Sequence, residues 1–138
     1  MKLKNLVAVF LILFATAIAG CITSEQTQQK IISVSPDEAY RLIESNRGNP
    51  DFAVIDIRTP QEFSMGHIEN AININFYDPD FKQKLSKLDR DKTYVVYCRT
   101  GHRSGLAMPI FRELGFKEVY EIDGGILAWV KAGYGIVK

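Results

Sequence analysis

The sequence contains few of the side chains that usually bind metal ions. Its 138 residues include two cysteines, Cys21 and Cys98, and two histidines, and these four residues are scattered along the chain. A structural zinc site takes four such ligands, usually at short spacings. We therefore expect no metal site and no bound cofactor.

The chain also lacks an excess of charge of either sign. The 17 lysines and arginines are balanced by 16 acidic residues, which gives a formal net charge of +1. Nucleic-acid-binding domains commonly carry a basic surface, so this balance predicts no nucleic-acid partner. No internal repeat or second linker is present, and the length suits one core. We predict a single domain over residues 31–138.

An apolar run of more than ten residues occurs only at the N-terminus. The run from Leu6 to Ile18 follows two lysines, Lys2 and Lys4, and is too short for a comfortable membrane span. A charged head followed by an apolar run of this length is typical of a secretory signal peptide. We predict a signal peptide over residues 1–20.

The end of that run, Ile18-Ala19-Gly20-Cys21, resembles the bacterial lipobox. In a lipobox the cysteine is lipidated and becomes the new N-terminus, and this interpretation is favoured over an uncleaved anchor or a buried cysteine. Residues 21–30 then form a lipidated cysteine and a flexible tether, since Ile22 to Lys30 is rich in Thr, Ser and Gln without apolar period. The prediction is an extracytoplasmic domain, lipid-anchored to the membrane of a bacterial or archaeal cell envelope.

Apolar runs alternate with segments of helical spacing after residue 30. Predicted strands cover residues 31–34, 52–57, 71–76, 93–97 and 119–122, and helical patterns lie between and after them. This alternation predicts an α/β fold, a small parallel-sheet sandwich with helices on both faces. Ser35 to Glu38 and Thr59 to Glu62 predict two helix starts with capping boxes. Pro109 lies inside a predicted helix and raises the question of a kink.

One short segment combines a strand with a reactive side chain. Tyr94 to Tyr97 favours a strand, Cys98 follows directly, and a helical pattern begins after Ser104. Binding sites in such sheets form beyond the carboxyl ends of the strands. A helix N-terminus favours the thiolate form of a nearby cysteine. We therefore predict that Cys98 is a nucleophile.

Three motifs carry a family resemblance. Cys98-Arg99-Thr100-Gly101-His102-Arg103-Ser104 resembles the active-site loop of the rhodanese (sulfurtransferase) domain. Asp56 to Phe63, Gly66-His67-Ile68 and Ala71 to Ile74 resemble that family's first signature, and Gly124-Gly125 with Trp129 resembles its closing one. The similarity runs from about Ser33 to the C-terminus with the motifs in the same order, which is far more specific than one motif alone.

The resemblance implies a rhodanese-type sulfurtransferase. Its Cys98 would carry sulfur as a persulfide from a small anionic donor, such as thiosulfate, to a thiol or a cyanide-like acceptor. The substrate- and persulfide-binding loop would consist of Arg99, Thr100, Gly101, His102, Arg103 and Ser104. Asp56 and Arg58 are supporting residues that brace the loops, and His67 is treated as structural.

The loop composition suits this chemistry. Successive backbone amides can surround an anionic sulfur, and Gly101 permits the backbone angles that such a loop requires. Arg99, Arg103 and a protonated His102 would supply positive charge. From these charges, the amides and the helix N-terminus we predict a lowered Cys98 pKa. We also predict that the loop is not fully buried, because it must admit an anionic donor.

Two alternatives remain open. A membrane-docked persulfide carrier or binding module would use the same cysteine with little turnover. A cysteine phosphatase is the weaker alternative, because its loop has five residues between cysteine and arginine, whereas four separate Cys98 from Arg103. A lone thiol outside the cytoplasm needs protection from oxidation, which suggests a redox or sulfur-relay protein partner.

Overall fold

The computed structural model describes residues 28–138, so the predicted signal peptide, Cys21 and most of the predicted tether lie outside the described residues. Within the described range, strands and helices alternate as predicted. The strands are β1 (Lys30–Val34), β2 (Phe52–Asp56), β3 (Ile72–Asn73), β4 (Thr93–Tyr97) and β5 (Glu118–Ile122). The helices are α1 (Pro36–Ser45), α2 (Pro60–Ser64), α3 (Phe81–Ser86), α4 (His102–Glu113) and α5 (Gly125–Lys131).

The strands form one parallel sheet in the order β1-β5-β4-β2-β3. β4 therefore lies at the centre, between β5 and β2. All the carboxyl ends point to one edge of the sheet, where binding sites form in α/β folds. The predicted α/β class with a parallel sheet is confirmed.

Helices cover both faces of the sheet. One core cluster joins the sheet to α3 and α4, and the other joins it to α1 and α5. Successive side chains of a strand point to opposite faces, and in β4 Tyr94 and Val96 enter the first cluster while Val95 and Tyr97 enter the second. The uninterrupted apolar run of β4 is explained by burial on both faces. Cys98 continues the alternation and faces α4.

Both predicted capping boxes are present. The Ser35 hydroxyl accepts from the Glu38 amide at 3.2 Å, and the Glu38 carboxylate accepts from the Ser35 amide at 2.9 Å. Thr59 and Glu62 make the equivalent pair of bonds at 3.2 and 3.0 Å. These reciprocal bonds satisfy amide groups that have no partner inside the helix.

Some boundaries differ from the predicted ones. β1 begins at Lys30, inside the predicted tether, and β3 has two residues rather than the six of 71–76. The chain leaves β3 because Asn75 starts a turn, in which the Asp78 amide donates to the Asn75 carbonyl at 3.1 Å. Helix α3 is also shorter than the predicted 80–88.

Pro109 lies within α4, which runs without a break from His102 to Glu113. A proline has no amide hydrogen to donate to the carbonyl four residues earlier, here that of Gly105. Gly105 and Pro109 are both exposed, so water can hydrate that carbonyl.

Within the described residues, no helix has both the length and the apolar character needed to cross a membrane.

Candidate active site

Cys98 lies at the junction between the central strand and the longest helix of the described chain. It follows β4 directly, and α4 begins four residues later with Gly101 as its N-cap. Gly101 has a φ of +94°, and a Cβ there would lie 3.2 Å from the Gly124 amide nitrogen. Any other residue would be strained in this conformation, which explains the glycine. The sharp turn brings the start of the helix back over the cysteine.

Two backbone amides point at the sulfur. The Gly101 amide nitrogen lies 3.1 Å from Cys98 Sγ, and the Ser104 amide nitrogen lies 3.4 Å from it. These groups belong to the first turn of α4, where amides lack intrahelical partners and the helix dipole is positive. Two amides of the predicted loop are thus directed at the sulfur of Cys98.

The pKa of Cys98 lies below its ordinary value. Burial acts most strongly and raises it, but the hydrogen bonds that Cys98 Sγ makes with the side chain and the amide of Ser104, and with the amides of Gly101 and Thr100, together outweigh burial. The direction agrees with the sequence prediction. The loop amides act as predicted, whereas the arginine charges are not among the causes of the shift.

The loop is not fully buried, as predicted, but the side chain of Cys98 itself has no exposed surface. The helix after β5 closes over the loop: the amides of Ile126 and Leu127 donate to the carbonyls of Cys98 and Arg99 at 2.9 and 3.2 Å. A Cβ on Gly125 would lie 2.6 Å from the Arg99 carbonyl carbon. Arg99, Thr100 and His102 remain exposed.

Arg103 differs from the sequence prediction, because its charge is paired. Its guanidinium donates two hydrogen bonds of 2.8 Å to the Glu62 carboxylate, one to each oxygen. Arg103 also lies over the Tyr77 ring, 5.4 Å from its centroid. The pair lowers the pKa of Glu62 to about 2. Arg103 is thus a link between α4 and α2 rather than an unpaired cation.

Asp56 and Arg58 form the predicted brace. Asp56 is fully buried and Arg58 is 5% exposed, and the guanidinium donates to Asp56 Oδ2 at 2.7 Å. The same nitrogen of Arg58 donates to the Gly66 carbonyl at 2.6 Å. A buried carboxylate needs such partners, and this pair ties the end of β2 to the loop before β3.

His67 lies apart from the cysteine loop. Its ring stacks on Phe63 at 3.7 Å between centroids, and Nδ1 lies 3.0 Å from the Phe63 carbonyl oxygen. Its backbone pairs with Val137. The structural assignment made from the sequence agrees with this position.

Sequence reasoning missed Glu121 as a site residue. It is 5% exposed and accepts hydrogen bonds from the hydroxyls of Ser104 and Ser33. The available signal was a carboxylate inside the otherwise apolar strand from Val119 to Ile122. Glu62 was assigned only to its capping box, since its contact with Arg103 joins residues 41 positions apart.

A shallow cavity of about 390 Å³ opens beside the cysteine loop. Its walls combine charged and apolar side chains, among them Arg58, Glu62, Arg99, Met65, Leu127 and Val130. A larger cavity of about 570 Å³ is lined by α1 and the start of β2 and includes no residue of the 98–104 loop. Within residues 28–138 no group of three or more His, Cys, Asp or Glu could hold a metal ion.

Similar sequences span most of the chain. An uncharacterized protein of Bacillus subtilis, YqhL, is 35% identical over 121 residues, which cover 88% of this chain and 90% of that protein. A tRNA uridine(34) hydroxylase of Chlamydia abortus is 36% identical over 119 residues, which cover 82% of this chain. The match covers 35% of that hydroxylase, so this chain resembles one part of a longer enzyme.

Solved structures share the fold. A rhodanese-related protein from Thermoplasma volcanium matches with a TM-score of 0.65 at 33% identity, covering 76% of this chain and 96% of that one. The polysulfide-sulfur transferase homodimer of Wolinella succinogenes matches with a TM-score of 0.63 at 34% identity, covering 78% of each chain. The family model for the rhodanese-like domain matches residues 35–132. The chain therefore belongs to the family of rhodanese-like domains.

Proposed function

We propose that the protein is a sulfurtransferase that carries sulfane sulfur as a persulfide on Cys98. The observation that carries this proposal is the thiol at the end of β4, with the amides of Gly101 and Ser104 aimed at its sulfur. Membership of a family that includes sulfurtransferases supports it. The donor would be a small sulfur anion such as thiosulfate or polysulfide.

The first half-reaction loads the cysteine. The Cys98 thiolate attacks the outer sulfur of thiosulfate, the S–S bond of the donor breaks, and sulfite leaves with the electron pair. The negative charge then lies on the outer sulfur of the persulfide, where loop amides can stabilise it. Arg99, an exposed residue of the loop, would attract the anionic donor.

The second half-reaction returns the enzyme to its starting state. A nucleophilic acceptor, such as a thiolate or cyanide, attacks the outer sulfur. The bond between the two sulfurs breaks, and Cys98 leaves as a thiolate that the same amides stabilise. The complete cycle uses no external oxidant or reductant.

Mass spectrometry of the full-length chain tests the proposal. After incubation with thiosulfate or polysulfide, the peptide that contains Cys98 should gain one sulfur atom, and cyanide should remove it as thiocyanate. Cys98→Ser should gain no sulfur at this peptide. If neither donor loads Cys98, the proposal is wrong.

A persulfide carrier is the second candidate, and the complete burial of Cys98 is the observation that favours it. The apolar side chains around the neighbouring cavity, Met65, Leu127 and Val130, are all exposed, and such a surface suits a protein acceptor better than a small anion. Steady-state kinetics with thiosulfate and cyanide separate the two functions. A carrier would load fully but turn over poorly.

Phosphatase activity is the weaker alternative. Besides the short spacing from Cys98 to Arg103, the guanidinium of Arg103 is held by both oxygens of Glu62. It would have to leave that pair to bind three phosphate oxygens. Aryl phosphate hydrolysis that disappears in Cys98→Ser would contradict the sulfurtransferase assignment.

We further propose that the protein is lipid-anchored through Cys21 to the outer face of a cell membrane, close to a redox or sulfur-relay protein. The lipobox-like sequence before Cys21 and the charged, apolar segment ahead of it support this proposal. Metabolic labelling with a fatty acid tests it. Cys21→Ala should lose the label and the processing, and unchanged labelling would refute the anchor.

A further inference from the structure

Glu121 is a buried carboxylate close to Cys98 that the transfer chemistry above does not use. It lies on β5, on the same face as Val119, which packs in the cluster beneath α4. A charge this deeply buried is costly unless its partners compensate for lost water. The chemistry of those partners indicates what the residue does.

The partners of Glu121 are two hydroxyl groups. Ser104 donates to Oε1 at 2.6 Å, and Ser33 donates to Oε2 from the adjacent strand β1. Within residues 28–138 no lysine or arginine pairs with Glu121. Ser33 is exposed whereas Ser104 is fully buried, so one carboxylate oxygen faces the solvent side and the other faces the cysteine.

Charged groups lie on α4, on β1 and elsewhere on β5, whereas β4 carries none. Arg103 on α4 is paired with Glu62 of α2. At the opposite end of the paired strands, Lys30 of β1 lies over the Tyr120 ring, and Glu118 of β5 accepts from the Tyr120 hydroxyl. Neither Lys30 nor Glu118 forms a hydrogen bond with Ser104 or Cys98.

Ser104 connects the carboxylate to the sulfur but has a single hydroxyl proton. Its oxygen lies 2.6 Å from Glu121 Oε1 and 3.4 Å from Cys98 Sγ. Hydrogen bonds to a carboxylate are short and about twice as strong as neutral ones. The proton is therefore given to Glu121, and the Ser104 oxygen turns its lone pairs towards the sulfur.

We propose that Glu121 is a positioning residue which, by holding the Ser104 hydroxyl, disfavours negative charge on Cys98 Sγ and favours the sulfur-loaded form. A neutral thiol can donate to the Ser104 oxygen, whereas a thiolate would face its lone pairs. When sulfur is loaded, Sγ becomes neutral and the charge moves to the outer sulfur. Loading thus relieves a contact that the free thiolate must tolerate.

The part concerning the loaded form rests on the proposed function, but the part concerning the thiol does not. Alkylation by iodoacetamide needs no sulfur donor, so it tests the role of Glu121 even if sulfur transfer fails. The readout is the pH midpoint for alkylation of the Cys98 peptide in the full-length chain, measured by mass spectrometry.

Four variants form a double-mutant cycle with a control. Glu121→Gln keeps an acceptor for Ser104 and an amide for Ser33, but it is a weaker acceptor that frees the hydroxyl to turn to the sulfur. We expect its midpoint to fall by about one pH unit, a tenfold gain in thiolate at low pH. In a Ser104→Ala background the same change should move the midpoint much less. Glu118→Gln removes a charge from the same strand without contacting Ser104 and should not shift it.

The cycle separates two kinds of coupling. An equal downward shift with and without the Ser104 hydroxyl would show that the Glu121 charge acts through space, which overturns the proposal. An unchanged or raised midpoint in Glu121→Gln would overturn it as well. Near-UV circular dichroism checks that each variant is folded, and Ser104→Gly replaces Ser104→Ala as the hydroxyl-free background if the alanine variant is not.

Discussion

Two buried carboxylates flank the central strand, and they differ in their partners. Asp56 at the end of β2 accepts hydrogen bonds from the amide and the guanidinium of Arg58. Glu121 on β5 accepts from the hydroxyls of Ser33 and Ser104. Both are at most 5% exposed, so burial does not distinguish them.

The partner chemistry decides what each carboxylate can do. A guanidinium is always charged and donates in a fixed planar geometry, so Asp56 and Arg58 brace one side of the site rigidly. A serine hydroxyl can rotate and exchange its acceptor. Cys98 thus lies between a fixed ion pair and an adjustable hydrogen bond, and only the second can respond to its charge.

The largest expected effect comes from breaking the ion pair between Asp56 and Arg58. Arg58→Ala leaves Asp56 buried without its cation, which should lower the free energy of unfolding by about 3–5 kcal/mol. Urea denaturation measures this loss. Arg47→Ala breaks exposed pairs with Glu44 and Glu69 and should cost at most about 1 kcal/mol. Equal losses would show that the buried pair is not special.

Glu62 accepts from both a guanidinium, that of Arg103, and a hydroxyl, that of Thr59. The pH dependence of stability shows how much such a carboxylate contributes. Its folded pKa of about 2 lies below the ordinary 4.5, chiefly because of Arg103. The stabilisation is therefore complete above pH 4.5 and is lost as the pH falls towards 2, by about 3 kcal/mol at most. Glu62→Gln should remove this part of the acid dependence.

Urea midpoints measured from pH 2 to pH 7 test this expectation. Glu38→Gln is the matched control, since Glu38 occupies the same capping-box position on α1 without an arginine partner. It should change the acid dependence less than Glu62→Gln does. If the urea midpoints of the wild type and of Glu62→Gln fall in parallel below pH 4.5, the loss of stability in acid does not come from Glu62.

The protein should tolerate loss of the negative charge of Glu121. Glu121→Gln retains partners for Ser33 and Ser104, so we expect a change in unfolding free energy of about 1 kcal/mol or less. Asp56→Asn is the matched change in the ion pair. It leaves Arg58 buried without its carboxylate and should lower the free energy of unfolding several times more. If both substitutions cost the same, the contrast between the two carboxylates does not hold.

The smallest expected effect concerns Arg103 and the cysteine. The lowered pKa of Cys98 comes from hydrogen bonds of the loop, and the charge of Arg103 is balanced by Glu62. Arg103→Ala should thus move the alkylation midpoint of Cys98 by less than about one pH unit. The double variant with Glu62→Gln separates loss of the pair from loss of one charge. A larger upward shift would restore the arginine charges as the main cause.

Local features of the structure could be predicted from the sequence. The capping boxes at Ser35 and Thr59 depend on contacts between residues three positions apart, and the buried strands show as apolar runs. The position of Cys98 at the end of β4 followed from the change of pattern at Tyr97. The pairing of Asp56 with Arg58, two residues apart, was also within reach.

Contacts between distant segments could not be predicted in the same way. Glu62 meets Arg103 across 41 positions, and Ser33 meets Glu121 across 88. The complete burial of Cys98 was missed for the same reason, since it depends on the start of α5 packing over the loop. Electrostatic arguments made from neighbouring residues alone therefore assigned Arg103 an unpaired charge.

Pro109 leaves α4 continuous but removes one hydrogen bond from its backbone. The missing bond to the Gly105 carbonyl interrupts the hydrogen-bond ladder one turn beyond the residues that surround Cys98. Proteins open locally with free energies that differ from one segment to another. We expect the amides at the start of α4 to exchange with deuterium faster than those near Phe111, and such opening of the first turn would expose Cys98 while the rest of the helix stays formed.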